Sequence, residues 1–322
     1  TGAMLLSLGL TVGGLVLLVL GARFLVDGAS SLASRLGVHP AAVGLTVVAF
    51  GTSTPELIVN ISAALDGVSA IAFGNVIGSN TFNTAVILGV SALIAPLTIH
   101  KRTTRFEVPL ALLAVAAVIV AAGDRWFGEG SVSVIGRSEG ALLLGFFLVF
   151  TSYTLSLLRE ESGADQPAGP NWAPGMAILA SILGVGLLFL GGELTVRGAV
   201  EAARILEVSE RIIAITIISA GTSLPELVTS LVAARRGQND LAVSNVVGSN
   251  IFNVFFILGL SSVITPVSVE PGGLMDLLAL LGVSLLVFLF IFTRKGRRID
   301  RWEGGALLGA YALYLVFLVG GI

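Results

Sequence analysis

The sequence has no cysteine, two histidines, three methionines and few charges of either sign, with Asp, Glu, Lys and Arg making up 12% of its 322 residues. Without cysteine there are no disulfides and no thiolate metal sites, and the redox compartment is left open. A net charge of −2 gives no electrostatic footprint for a nucleic-acid partner. His39 and His100 fall near the ends of apolar segments and the methionines are scattered, so no nitrogen or sulfur set exists for zinc, copper or iron. There is also no nucleotide-binding loop, no credible catalytic triad and no extramembrane domain, which speaks against an enzyme and against any cofactor.

What the chain has in excess is apolar sequence. Hydrophobic residues make up 55%, and the mean hydropathy is +0.98. A soluble core cannot absorb that much. The runs 4–20, 108–122, 140–158, 176–191, 277–293 and 306–322 each approach the ~20 residues needed to cross a bilayer as a helix. They are continuous and lack the alternation of outer-membrane strands, so the reading is an all-α integral membrane protein with the lipid bilayer as its solvent. Thr1, Gly2 and Ala3 ahead of Met4 are set aside as foreign residues. The first apolar run is too long, and lacks the basic start, for a cleaved signal peptide.

The chain repeats itself. Gly51-Thr52-Ser53-Thr54-Pro55-Glu56-Leu57 returns in the second half as Gly221-Thr222-Ser223-Leu224-Pro225-Glu226-Leu227. The same offset carries Asn75-Val76-Ile77-Gly78-Ser79-Asn80-Thr81-Phe82-Asn83 onto Asn245-Val246-Val247-Gly248-Ser249-Asn250-Ile251-Phe252-Asn253, Gly28-Ala29 onto Gly198-Ala199, and Pro96 onto Pro266. No gap is needed between about 14 and 100. The hydrophobic segments predict ten transmembrane helices, at about 4–26, 39–65, 70–96, 105–122, 138–158, 173–197, 209–235, 240–266, 272–293 and 303–321. The first repeat is 4–158, a short acidic connection is 159–172, and the second repeat is 173–322. Five helices per copy is an odd number, so the second copy starts on the opposite side of the membrane and the two repeats have inverted topology. If the N-terminus lies outside, the inner side takes 13 of the 18 basic residues and the outer side 5, so both termini are expected outside. Trp126, Trp172 and Trp302 fall at predicted helix ends, as interfacial anchors or as ordinary packing residues.

Glu56 and Glu226 lie in the middle of otherwise uncharged segments. A carboxylate at mid-membrane costs roughly 2.5–3.5 kcal/mol to insert, so it faces the protein interior and carries function. Its neighbours are oxygen. Thr52 and Ser53, and Thr222 and Ser223, stand four and three residues before each Glu, on or near its helical face, while Ser79 and Asn83, and Ser249 and Asn253, share a face of the following segment. Pro55 and Pro225 remove an N–H and clash with the carbonyls of Gly51 and Gly221. The helix is expected to break there, freeing carbonyls at Ala49, Phe50 and Gly51, and at Ser219, Ala220 and Gly221. Two carboxylates among neutral oxygens suit calcium, sodium, magnesium or manganese. They balance one divalent ion, and without it they take up a proton or monovalent cations.

At these residues the sequence resembles the sodium/calcium exchanger family, within the cation/calcium exchanger superfamily and its prokaryotic type, over essentially the whole chain. The resemblance implies an antiporter of a prokaryotic cell membrane, working as a monomer, that exchanges sodium for calcium by alternating access. It implies calcium-ligating roles for Glu56 and Glu226, and sodium-ligand roles for Thr52, Ser53, Ser79 and the Ala49 carbonyl and for Thr222, Ser223, Ser249 and the Ser219 carbonyl. Asn83 and Asn253 take the remaining polar positions. It also implies that the first and sixth helices slide as a gating pair, here rich in glycine at Gly9, Gly13, Gly14 and Gly21 and at Gly184, Gly186, Gly191 and Gly192. Several family members carry Asp where this chain has Asn253, which disfavours potassium dependence. A proton/calcium antiporter is the alternative, although its vacuolar representatives typically show Gly-Asn-Ala-Thr-Glu at this site. A passive cation channel would more usually assemble its acidic ring from several chains.

Overall fold

The computed structural model describes residues 2–68, 70–123, 133–157, 170–208, 217, 219–270, 272–293 and 297–320. Its helices are α1 (Gly2–Leu36), α2 (Ala41–Thr52), α3 (Thr54–Leu65), α4 (Ile71–Ile94), α5 (Thr103–Ala121), α6 (Arg137–Leu157), α7 (Pro174–Ile205), α8 (Leu224–Arg235), α9 (Asn239–Ile264), α10 (Gly273–Thr293) and α11 (Arg301–Gly320). Seven of these helices are long and apolar enough to cross a membrane, and an eighth span arises if the bent pair α2–α3 counts as one. Most of the expected segment 209–218, ahead of α8, lies outside the described residues, as do Trp126 and most of the 159–172 connection.

The distribution of polarity is that of a membrane protein. Leu6, Leu148 and Val316 are about two-thirds exposed, whereas Glu56, Asn60, Asn83, Glu226, Asn245 and Asn253 are fully buried. In lipid an apolar outer face is well solvated, and the polar groups must find their partners inside. The two spans holding the second motif of each copy, α4 and α9, form the centre: 72% and 78% of their most apolar windows is buried, against 17–39% for the other five full-length spans.

The two longest helices, α1 and α7, run antiparallel in close contact, and glycine makes the approach possible. A Cβ at Gly14 would lie 2.6 Å from the Gly191 carbonyl oxygen, one at Gly21 2.8 Å from that of Gly184, and one at Gly28 2.6 Å from that of Ala177; Gly198 meets the carbonyl of Ser7 at 2.6 Å. The seam is thus Gly14, Gly21 and Gly28 against Gly184, Gly191 and Gly198, seven residues apart on each helix. Of the other glycines expected to allow close contact, Gly9, Gly13 and Gly186 face open space and Gly192 faces Pro225 rather than α1. Seven residues is close to two helical turns, so only glycines in that register return to the same stripe.

Two departures from the sequence reading concern local structure. The all-α expectation missed two antiparallel ribbons. β1 (Leu97–Thr98) pairs with β4 (Arg298–Ile299), and β2 (Ser133–Ile135) pairs with β3 (Val267–Val269). β1 and β3 occupy matching positions in the two copies, each just after a central span, so each ribbon ties one copy of the repeat to the other. The helix ends also differ: α1 runs ten residues past the expected Val26, because Gly28 to Ala33 remain in contact with the protein rather than with water.

Candidate functional site, a buried cation centre

The first motif breaks its helix at Ser53, two residues before the proline. Ser53 has φ −82° and ψ 11°, and α2 and α3 meet there at a bend of 49°. Pro55 then sits in the first turn of α3, where its missing N–H costs nothing. The second copy matches: Ser223 has φ −90° and ψ 7°, and Pro225 sits in the first turn of α8. Glu56 and Glu226 each fall in the first turn of the helix that restarts, where the positive end of the helix dipole favours a carboxylate.

Two of the carbonyls expected to be freed, those of Ala49 and Phe50, are engaged. The Ala49 oxygen accepts the Ser53 N–H at 3.0 Å and the Ser249 hydroxyl at 3.4 Å, with the Thr52 hydroxyl also within reach at 3.3 Å, and the Phe50 oxygen accepts the Thr54 hydroxyl at 3.1 Å. The reason is that the break comes late: the backbone still closes a helical turn onto Ala49, and the Thr54 hydroxyl reaches back to Phe50. Ser219, the counterpart of Ala49, opens a short helical turn of its own, Ser219–Gly221.

Hydrogen bonds at the centre cross between the copies in reciprocal pairs. Ser53 Oγ donates to Glu226 Oε1 at 2.7 Å, and Ser223 Oγ donates to Glu56 Oε1 at 3.0 Å. Thr52 Oγ1 donates to Asn245 Oδ1 at 3.2 Å, and Thr222 Oγ1 to Asn75 Oδ1 at 3.4 Å. Asn83 Nδ2 donates to Asn250 Oδ1 at 3.2 Å, and Asn253 Nδ2 to Asn80 Oδ1 at 3.0 Å. Ser249 Oγ comes within 3.5 Å of Glu226 Oε1, and Ser79 Oγ within 3.5 Å of Thr222 Oγ1. Eight of the expected site residues, Thr52, Ser53, Glu56, Ser79, Thr222, Ser223, Glu226 and Ser249, therefore stand around one buried centre, with the Ala49 carbonyl at its edge, while Asn83 and Asn253 are buried in a cluster of their own with Asn250 and Asn80. Asn83 and Asn253 each open a π-helical stretch, Asn83–Ile87 and Asn253–Leu258, a local widening that is frequent at functional sites.

The chemistry of the centre follows from what is left over. Glu56 Oε2, Glu226 Oε2, Asn83 Oδ1 and Asn253 Oδ1 are buried oxygens without a hydrogen-bond partner. None of the described ion pairs involves Glu56 or Glu226. Two buried carboxylates with no basic side chain on them call for a mobile cation or a proton, and the donor set is all oxygen, as hard cations require. Asn75, Asn245, Asn80, Asn250, Asn60 and Ser230 join these networks without being among the expected site residues. The first four stood inside the repeated motifs at equal offsets, which was the available signal. Asn60 was not signalled, since its counterpart in the second copy is Ser230, a different residue.

Fold and site together define a multispanning membrane protein with a buried polar centre in which two carboxylates stand among hydroxyl and amide groups. The chain belongs to the sodium/calcium exchanger family: the sequence profile described as "Sodium/calcium exchanger protein" matches residues 6–156 and 176–320. Among its relatives are a putative antiporter, CaxA, of Alkalimonas amylolytica, 36% identical with 95% of this chain and 96% of the relative covered, and the sodium/calcium exchanger MaX1 of Methanosarcina acetivorans, 33% identical with 95% and 96% covered. The solved structure of the sodium-calcium exchanger NCX_Mj, soaked with zero Na+ and Ca2+, superposes with a TM-score of 0.81 at 30% identity, over 98% of this chain and 99% of that one.

Proposed function

We propose that this protein exchanges sodium for calcium across a membrane by alternating access, with Glu56 and Glu226 as shared ligands of the two ions. The reading rests above all on the reciprocal pair Ser53 to Glu226 and Ser223 to Glu56, which leaves one carboxylate oxygen of each Glu unpartnered in a fully buried centre. Two negative charges match one calcium ion, while the hydroxyl and amide oxygens around them suit sodium, so the two cations compete for one set of ligands. Occupancy by either relieves the same repulsion, and gradients set the direction. In this reading the chain has ten transmembrane helices in two inverted five-helix repeats, works as a monomer, and has both termini outside. The full ligand set is Thr52, Ser53, Glu56, Ser79, Asn83 and the Ala49 carbonyl, which takes the ion in place of the Ser249 hydroxyl, with Thr222, Ser223, Glu226, Ser249, Asn253 and the Ser219 carbonyl. The reciprocal bonds at equal offset support the two-fold relation, and the names of the exchanger relatives support the ions.

The same buried carboxylates would also accept protons, so the test must separate the two coupling ions. Purified protein in liposomes is assayed for calcium uptake under an outward sodium gradient, under a pH gradient, and under neither. Uptake should follow the sodium gradient. Uptake driven only by the pH gradient would replace sodium with protons, and equal uptake under all three would point to a channel. Glu56→Gln and Glu226→Gln should each abolish transport, and full activity in either would overturn the site.

A further inference from the structure

Within this cation centre, and resting on the reading of it just given, we infer that Asn245 is a positioning residue that sets the orientation of the Thr52 hydroxyl. A hydroxyl ligates a cation through its lone pairs, so its proton must point elsewhere. The structure supplies the acceptor: Thr52 Oγ1 donates to Asn245 Oδ1 at 3.2 Å, across the boundary between the two copies of the repeat. Asn245 is held with that face forward, because its Nδ2 donates to the Ser230 hydroxyl at 3.0 Å and to the Glu226 carbonyl at 3.4 Å. Both donor hydrogens are thereby engaged on α8, and the amide oxygen has nowhere to turn but toward Thr52. The residue is fully buried. Turning the amide over would set its oxygen against the Glu226 carbonyl oxygen and against a Ser230 hydroxyl whose own proton goes to the Ala242 carbonyl at 3.4 Å.

The alternative acceptors for the Thr52 proton are less well placed. The Ala49 oxygen lies at 3.3 Å but already accepts the Ser53 N–H and the Ser249 hydroxyl. Glu226, whose interaction with Thr52 is also within reach, is needed by the cation itself. With Asn245 taking the proton, the threonine oxygen presents lone pairs to the ion. The second copy repeats the arrangement in weaker form. Thr222 Oγ1 reaches Asn75 Oδ1 at 3.4 Å, and Asn75 Nδ2 is buried without a partner, so that amide is not locked. The two copies therefore differ: orientation of the threonine is enforced in the first motif and only assisted in the second.

The experiment is a double-mutant cycle on the purified full chain, read as the sodium and calcium concentrations giving half-maximal thermal stabilisation. T52V and N245L should each raise the half-maximal concentration about three- to tenfold, and N245L should add nothing once T52V is present. N75L should have the smaller effect of the two asparagine changes. The ion-free melting temperature of each variant checks folding, and N245S takes the place of N245L if the leucine does not fold. If T52V weakens ion binding but N245L, or N245S, weakens it further by an independent factor, the asparagine is structural and the inference falls while the site reading stands. No change in T52V would remove the threonine from the ligand set and the inference with it.

Discussion

At the scale of single residues, the most informative bond is one that local rules would have placed elsewhere. Ser53 precedes Glu56 by three residues at a helix start, the spacing of a capping box in which serine and glutamate bond each other's backbone. No such cap forms. The Ser53 hydroxyl goes instead to Glu226, and Ser223 returns the bond to Glu56. A charge-assisted bond to a buried carboxylate contributes about 1.5–3 kcal/mol, well above a surface cap, so the tertiary partner wins. Ser53→Ala should destabilise the calcium-saturated protein by about that amount, seen as a lowered melting temperature in detergent, and Ser223→Ala should do the same through Glu56. An unchanged melting temperature in both would mean that these bonds carry no load.

At the scale of elements, two helix starts, those of α2 and α5, are held by histidine. His39 precedes α2 and accepts the Ala41 N–H on its Nδ1 at 3.2 Å, while His100 does the same for the Arg102 N–H at 3.4 Å ahead of α5. The two rings lie 4.6 Å apart, and Asp240 of α9 comes within 3.8 Å of His39 Nε2. Burial pushes the His39 pKa below its ordinary 6.5. Asp240 works against that, and His100 and Arg102 push the same way as burial. A histidine whose folded pKa is depressed binds its proton more readily when unfolded, so its contribution is complete above about 6.5 and is lost as pH falls through the lower folded value. Protonation would also cost the cap, since a protonated Nδ1 cannot accept. The melting temperature of the wild type should therefore fall relative to His39→Asn as pH drops from 7.5 toward 5, and a constant difference would show that His39 does not titrate there. The α1–α7 seam makes the same point about elements: glycine content marked both helices, but only register selected Gly28 and Gly198 over Gly9 and Gly186.

At the scale of the whole molecule, the copies are interleaved rather than merely adjacent. The ribbons β1–β4 and β2–β3, the cross-bonded serines and the asparagine pairs all join residues from opposite halves. Neither half completes the centre alone, since each Glu takes its serine from the other. The chain's lack of cysteine makes its proposed orientation directly testable. Single cysteines at the exposed positions Asp66 and Lys101 should be labelled by an impermeant maleimide from opposite sides, Asp66→Cys from outside and Lys101→Cys from inside. The reverse pattern would invert the topology and place both termini inside.

Hydropathy, the constant offset between the two copies and the oxygen-bearing motifs were enough to read a helical membrane protein with Glu56 and Glu226 as the centre of its proposed ion site, because lipid solvation and ion chemistry each restrict residue type strongly. The proposed ligands with a repeated counterpart were legible for the same reason. The tertiary structure decided which hydroxyl serves which carboxylate, which glycines touch, and that Asn75 and Asn245 stand behind the threonines. These are choices among partners far apart in the chain, made by close packing between helices whose local patterns would have accepted several alternatives.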